Sequence, residues 1–273
     1  QYPGVTLAAI NLPRGLIYLD APPLPEHGRA WRADLLDLKN GPERLLVNLD
    51  SHVDRTLGSR AMDCVVMAHE ATAKLFRNRP GAFKMQGKET GAEWDSIAGI
   101  GTIRWAPPEI TFTDQITLHW GDSPIIFEHR PGSDPSAIWV IFPDEKVVFV
   151  GDTIVKNQPP FFANSDLPAW IESIKLLLSE KYNGYTIVSG RGGVCATSTV
   201  EKQLDYLQAT HKKLEKLAAR GAAPEATEKL VESLLEPLRF LVSNKEKYKQ
   251  RLRHDLIKYY KRHYQPEEEL SDE

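Results

Sequence analysis

The chain is poor in cysteine. Its 273 residues hold two, Cys64 and Cys195, and no Cys-x-x-Cys pair. That excludes a disulfide-stapled scaffold and a cysteine-built zinc site, and reads as two reduced thiols in a cytoplasmic protein. Long hydrophobic runs are missing too. No apolar stretch approaches the roughly 20 residues a membrane helix needs, so no membrane association is expected. Neither sign of charge dominates: 34 Lys and Arg against 37 Asp and Glu leave a formal −3, which argues against a nucleic-acid or membrane-surface binder. The opening residues, Gln1-Tyr2-Pro3, carry no basic-then-apolar leader, and no signal peptide is expected at this end. No internal repeat or low-complexity tract interrupts the chain. With 41% hydrophobic and 26% charged residues, the remaining composition is that of an ordinary globular protein, long enough for one large domain or two small ones.

Short runs rich in Val, Ile and aromatics, bounded by turn residues, predict strands at 5–10, 16–20, 45–50, 64–68, 110–112, 116–120, 125–129, 137–142, 147–150 and 185–189. Gly121-Asp122 and Pro143-Asp144-Glu145 read as tight connections between neighbouring strands. Helical periodicity places helices at 27–38, with Trp31, Leu35 and Leu38 on one face, at 71–77, and at 167–179 after a Ser165-Asp166 start signal. Strands with helices inserted at intervals predict a layered α/β architecture. From Ser198 onward the pattern is helical. Ser198-Thr199-Val200-Glu201 reads as a capping box, Gly221 as a stop, and a second helix runs over 224–235. The last helix repeats Tyr248, Leu252, Leu256, Tyr260 and Tyr264 every fourth residue, a stripe suited to the core or to a homodimer contact. The expected organisation is an α/β domain over 1–198, a helical extension over 199–265 and an acidic tail over 266–273.

The chemistry gathers at strand ends. The run Leu45-Leu46-Val47-Asn48-Leu49 leads into Asp50-Ser51-His52-Val53-Asp54-Arg55, and side chains at i, i+2 and i+4 leave a strand end on one side. Four later segments follow in order: the strand ending at His69-Glu70, the turn Arg130-Pro131-Gly132-Ser133-Asp134-Pro135, the strand ending in Gly151-Asp152-Thr153, and the strand ending in Ser189-Gly190-Arg191-Gly192-Gly193.

This ordered set resembles the metallo-beta-lactamase superfamily over roughly residues 5–195. The resemblance implies a four-layer αβ/βα sandwich and a site for two metal ions, normally held by His-x-His-x-Asp-His and further histidines. Carried over residue by residue, the first metal would take Asp50 and His52, with Ser133 where the family has a histidine. The second would take Asp54, with Arg55 and Arg191 where it has histidines, and Asp152 matches the bridging carboxylate. Arginine stays protonated and has no lone pair for a metal. The two arginines are therefore expected to pair with Asp54 and Asp152 and to replace the second cation electrostatically.

Two functional readings follow. In one, a degraded site no longer runs two-metal hydrolysis and binds an anionic small molecule through Arg55 and Arg191. In the other, Asp50, His52 and Asp152 hold a single Zn, Mn or Fe for hydrolysis, with Asp54 as base. The cofactor expected is thus none or one divalent metal. Phe161 and Phe162, past the Gly-Asp strand end, form either an apolar wall of the pocket or packing against Trp170. His69 and His129 read as structural histidines, Cys195 as a small buried side chain, and the basic flank over 245–262 as a solvated helix face rather than a nucleic-acid surface.

Overall fold

The computed structural model describes residues 4–38, 41–79 and 90–265; the acidic tail lies outside them. The first sheet takes its strands mostly from the N-terminal third of the chain: β1 (Ala8–Leu12), β2 (Gly15–Leu19), β3 (Glu43–Val47), β4 (Val65–His69) and β5 (Ile110–Phe112), in that spatial order. The helices α1 (Pro25–Asp34), α2 (Val53–Thr56) and α3 (Glu70–Arg77) interrupt it. Strands β2 to β5 run parallel, and β1 pairs antiparallel to β2. The second sheet contains β6 (Gln115–Leu118), β7 (Ile125–His129), β8 (Ile138–Phe142), β9 (Val147–Phe149), β10 (Thr186–Ser189) and β11 (Gly193–Cys195), ordered β11-β10-β9-β8-β7-β6. Helix α4 (Leu167–Leu177) lies between β9 and β10 in sequence. Helices α5 (Thr197–Ala218), α6 (Val231–Leu235) and α7 (Lys245–Tyr264) follow the second sheet.

Alternation along the strands decides the layers. Ile17, Leu19, Leu45, Val47 and Phe112 from the first sheet meet Phe127, Ile138, Val140 and Phe142 from the second in one core cluster. Their sequence neighbours point outward: Leu16, Tyr18 and Leu46 pack with Trp31 and Leu35 near α1, and Trp139, Ile141 and Val148 pack with α4 and the C-terminal helices. Both sheets are thus covered on their outer faces, the αβ/βα sandwich the motifs imply. Val200, Leu207, Leu252, Leu256 and Tyr260 share a core cluster with Trp139 and Trp170. Of the two uses expected for the α7 stripe, this one is the core.

Several local expectations need correction. Helix α5 begins one residue before Ser198, with Ala196 at the cap position and no side-chain cap, so the Ser198–Glu201 box does not operate. Helix α1 stops at Asp34, and Leu38 is 39% exposed rather than part of the buried face. The first half of the helix expected over 224–235 is a 3-10 helix, Pro224–Leu230. The glycine-rich segment after Arg191 contains an additional strand, β11, paired to β10.

Candidate functional site

The parallel order of β2, β3 and β4 brings their carboxyl ends to one edge. There Leu49 bridges the sheets: its N–H donates to Asp20 Oδ1 at 2.9 Å, and its carbonyl accepts from Ile138 N–H at 2.9 Å. The chain then turns through Asp50 and Ser51 into the short helix α2, whose first residues after His52 include Asp54 and Arg55. Asp152 sits in a 3-10 turn directly after β9, and Arg191 follows β10. Gly190 permits the meeting of these two loops. A Cβ there would lie 2.5 Å from Asp152 Oδ1 and 2.4 Å from the Gly151 carbonyl carbon, contacts no side chain tolerates.

The result is a buried ion cluster. Arg191 donates Nη1 to Asp54 Oδ2 at 2.6 Å and Nη2 to Asp54 Oδ1 at 3.0 Å, and its Nε to Asp152 Oδ2 at 3.0 Å. Arg55 Nη2 donates to the other oxygen of Asp152 at 2.5 Å, while its Nη1 stands 3.2 Å from Asp50 Oδ2 and 3.4 Å from Asp20 Oδ2. His52 Nδ1 lies 3.0 Å from Asp50 Oδ2 and 3.6 Å from Asp152 Oδ2. Arg55, Arg191, Asp20, Asp50 and Asp54 are fully buried.

Burial and mutual charge set the protonation states. Burial pushes the Asp20 carboxyl up to about 8 against the pull of Arg55, with Asp50 adding to the rise, so Asp20 is protonated at neutral pH. Burial also opposes the charged form of Asp50, but Arg55 and His52 outweigh it and hold that carboxyl below its ordinary range. Asp152 is held low in the same way by Arg191 and Arg55. Burial disfavours the His52 imidazolium, yet Asp50, Asp152 and Asp134 raise its pKa to about 9. Three carboxylates, at Asp50, Asp54 and Asp152, therefore face three cations, at His52, Arg55 and Arg191.

The predicted site residues separate into distinct groups. Asp50, His52 and Asp152 can each turn a ligand atom toward the others, all within 4.8 Å of one another. Asp54, expected as a base, has both oxygens accepting from Arg191 and no exposed surface. Arg55 and Arg191 likewise have no exposed surface to meet a ligand. The second-metal position fits no metal, because guanidiniums occupy it. The first position fits one cation once the His52 ring gives up its proton: His52 Nδ1 and Asp50 Oδ2 are buried 3.0 Å apart, and neither has a hydrogen-bond partner among the described residues. Ser133 Oγ is buried and equally unpartnered.

The two phenylalanines divide. Phe161 stacks on Trp94, with ring centroids 5.4 Å apart, and lies 5.0 Å from the His52 ring. Phe162 is a core residue instead, fully buried and stacked on Tyr206, since adjacent residues of an extended segment point to opposite sides. His69 stacks on His129 at 3.8 Å. His69 Nε2 donates to the Thr113 carbonyl, its Nδ1 accepts from Ala71 N–H, and His129 Nε2 bonds the Pro135 carbonyl. Neither histidine belongs to the cluster. Burial raises the Cys195 thiol, with Lys156 only partly offsetting it, so it is no reactive thiolate.

Sequence reasoning did not single out Asp20, Trp94 or Arg251. Asp20 had a readable signal, a carboxylate closing a strand next to the one that ends at the motif. Arg251 had none. It reaches in from α7 to donate to Glu93, Gly91, Gln158 and Pro159, and its guanidinium lies 4.2 Å from the Phe161 ring centre, with Arg191 at 4.7 Å.

A family model described as the metallo-beta-lactamase superfamily matches residues 56–189. The match starts directly after Arg55 and stops short of Arg191, so both arginines lie outside it. Similar solved structures include a metallo-beta-lactamase from Pontibacter korlensis, 19% identical, with a TM-score of 0.59 over 75% of this chain and 87% of that one. Metallo-beta-lactamase IND-7 is 15% identical, with a TM-score of 0.58 over 75% and 86%. The sec-alkylsulfatase Pisa1 from Pseudomonas sp. is 16% identical, with a TM-score of 0.63 over 95% of this chain and 47% of that chain, so this chain spans about half its length. A sequence search of curated proteins gave no match. No helix among the described residues is long and apolar enough to cross a membrane.

Proposed function

The chain belongs to the metallo-beta-lactamase superfamily, and from that premise we propose that it does not run two-metal hydrolysis: Arg55 and Arg191 stand in for the second cation, and the site takes at most one divalent metal. The observation that carries this reading is the fork of Arg191 on Asp54, backed by its Nε on Asp152. The guanidinium that grips both oxygens of Asp54 is a fixed positive charge without a lone pair, and it repels a second cation there.

The residues that would hold the remaining ion are Asp50, His52 and Asp152, a two-carboxylate, one-histidine set suited to Zn, Mn or Fe. Such an ion would supply Lewis acidity and lower the pKa of bound water. The chain's own residues do the rest: Arg55 holds Asp50 and Asp152 in place, Phe161 and Trp94 wall the exposed side of His52, and Asp20 adds a neutral acid behind Arg55.

A second reading, a metal-free ion cluster, is favoured by the match of three carboxylates to three cations when His52 is protonated. Metal analysis of protein prepared with Zn, Mn or Fe separates the two. One equivalent, lost in Asp152→Ala, supports the single-cation site. None supports the ion cluster, and two equivalents would overturn both.

A further inference from the structure

The candidate metal position is closed. Asp50 and Asp152 are buried, and only 12% of the His52 side chain is exposed. Two rings lie against the His52 imidazole, Phe161 at 5.0 Å and Trp94 at 5.8 Å, and they stack on each other at 5.4 Å. Phe161 is buried and Trp94 is partly exposed, so Trp94 is the outer cover.

The two rings are held differently. Phe161 is followed by Phe162, a core residue whose N–H donates to Asp255 on α7 at 3.0 Å. Trp94 sits in the 3-10 turn Glu93–Ser96, which has no strand pairing and is bonded mostly to itself. Asp95 Oδ2 accepts from Thr90 N–H, Thr90 Oγ1 and Ala92 N–H. Among the described residues, the hydrogen bonds of this segment to other parts of the chain run to α7. Glu93 accepts from Arg251 Nη2 and Lys247 Nζ, each at 2.8 Å, and the Gly91 carbonyl accepts from Arg251 Nε at 3.1 Å. Gly91 lets the two backbones touch: a Cβ there would lie 2.3 Å from Arg251 N and 2.4 Å from the Lys247 carbonyl oxygen.

Arg251 joins the two covers. Its Nη1 donates to Gln158 and Pro159, just before Phe161, while its Nη2 holds Glu93. The Phe161 segment is also anchored in the core, whereas the Trp94 turn depends on the charged contact to α7. Lys247 is 31% exposed, so that half of the contact is screened by solvent. A segment with few outward bonds opens at lower free energy than the core around it.

We propose that the Glu93–Ser96 turn is a gate over the candidate site, closed by Trp94 and latched to α7 through Glu93. A metal ion or small molecule reaches His52 when the contact of Glu93 with Arg251 and Lys247 opens. The inference rests on the reading of Asp50, His52 and Asp152 as the site. It gives α7 a role in access beyond covering the second sheet.

The test is exchange of the His52 Cε1 proton in deuterated solvent, followed by mass spectrometry on the full chain, a readout that needs no metal. His69, buried outside the cluster, is the internal reference. Glu93→Gln should speed His52 exchange at least about tenfold, the change expected in an opening equilibrium when one charge-assisted bond is lost. His69 should not change. Trp94→Ala removes the cover itself and should speed His52 exchange at least as much. Lys247→Gln leaves Arg251 on Glu93 and should give roughly a threefold effect, as for a partly exposed pair. Circular dichroism shows whether Glu93→Gln folds, and if it does not, Trp94→Ala and Lys247→Gln decide. Unchanged His52 exchange in the folded variants, or equal acceleration at His52 and His69, overturns the gate. Zinc content of the same samples is a separate readout: no metal in wild type or any variant would sink the single-cation reading and leave the exchange result standing.

Discussion

The two halves of the buried cluster differ in how completely their atoms are matched. On the Asp54 side, Arg191 meets both oxygens of Asp54 and one of Asp152, and Arg55 takes the remaining Asp152 oxygen. On the Asp50 side, Asp50 Oδ2, Asp20 Oδ2, His52 Nδ1 and both Nε and Nη1 of Arg55 are buried without a hydrogen-bond partner among the described residues, although Asp50 Oδ2 stands 3.0 Å from His52 Nδ1 and 3.2 Å from Arg55 Nη1. A matched half behaves as a structural tie, while on the unmatched half the Asp50 carboxylate keeps lone pairs for a cation. Arg55 belongs to both, which makes it the hinge of the comparison.

Removing that hinge should have the largest effect. Arg55→Ala leaves Asp50 and Asp152 buried beside each other without their shared cation, and breaking a buried pair costs about 3–5 kcal/mol. Urea unfolding measures this, and a loss below about 1 kcal/mol would mean the cluster is held by something else.

A pH series comes next and probes mainly the unmatched half. His52 is raised from 6.5 to about 9, so its contribution is complete below pH 6.5 and is lost as pH rises through 9. Asp20 is raised from 3.8 to about 8, and keeping it protonated favours the native state less and less as pH climbs from 3.8 to 8. Both groups act in one direction, so chelator-treated protein should lose stability between pH 6.5 and 9. Asp20→Asn should flatten that slope, and a rise in the urea midpoint over the same window would contradict the assignment. On the acid side, Asp50 and Asp152 are held low, and their contribution is lost as pH falls below the ordinary carboxylate range.

The smallest effect should come from Ser133→Ala. Its hydroxyl has no partner to lose, so the change in stability should stay within about 0.5 kcal/mol or be slightly favourable. A large loss would reveal a bond to this hydroxyl and move Ser133 to the matched half.

Much of the fold was legible. Alternating apolar runs marked the strands that build both sheets, and turn residues marked their ends, because the side-chain period of two is a local property. That Arg55 and Arg191 would seek carboxylates rather than a metal could also be read, since guanidinium chemistry does not depend on the fold. The pairing itself could not. Arg191 and Asp54 are 137 residues apart, and only the packing of β10 beside β9 places one guanidinium over the other loop. The Ser198 box failed for a related reason: tertiary packing of α5 sets where the helix begins, and a local capping preference of about 1 kcal/mol does not outweigh it. Arg251 carried no pattern at all: it is one basic residue on α7 until Glu93 and the Phe161 ring from other parts of the chain close on it.

The sequence by itself determined the layered α/β sandwich, the order of the loops at its edge and the presence of arginines among them, all consequences of residue type and short-range period. Only the tertiary structure decided which charges are matched. It paired both oxygens of Asp54 with Arg191 and put Phe161 beside His52 and Phe162 in the core. Hydrogen-bond matching depends on distances between side chains that the sequence does not order, and those distances exist only once the sheets have packed.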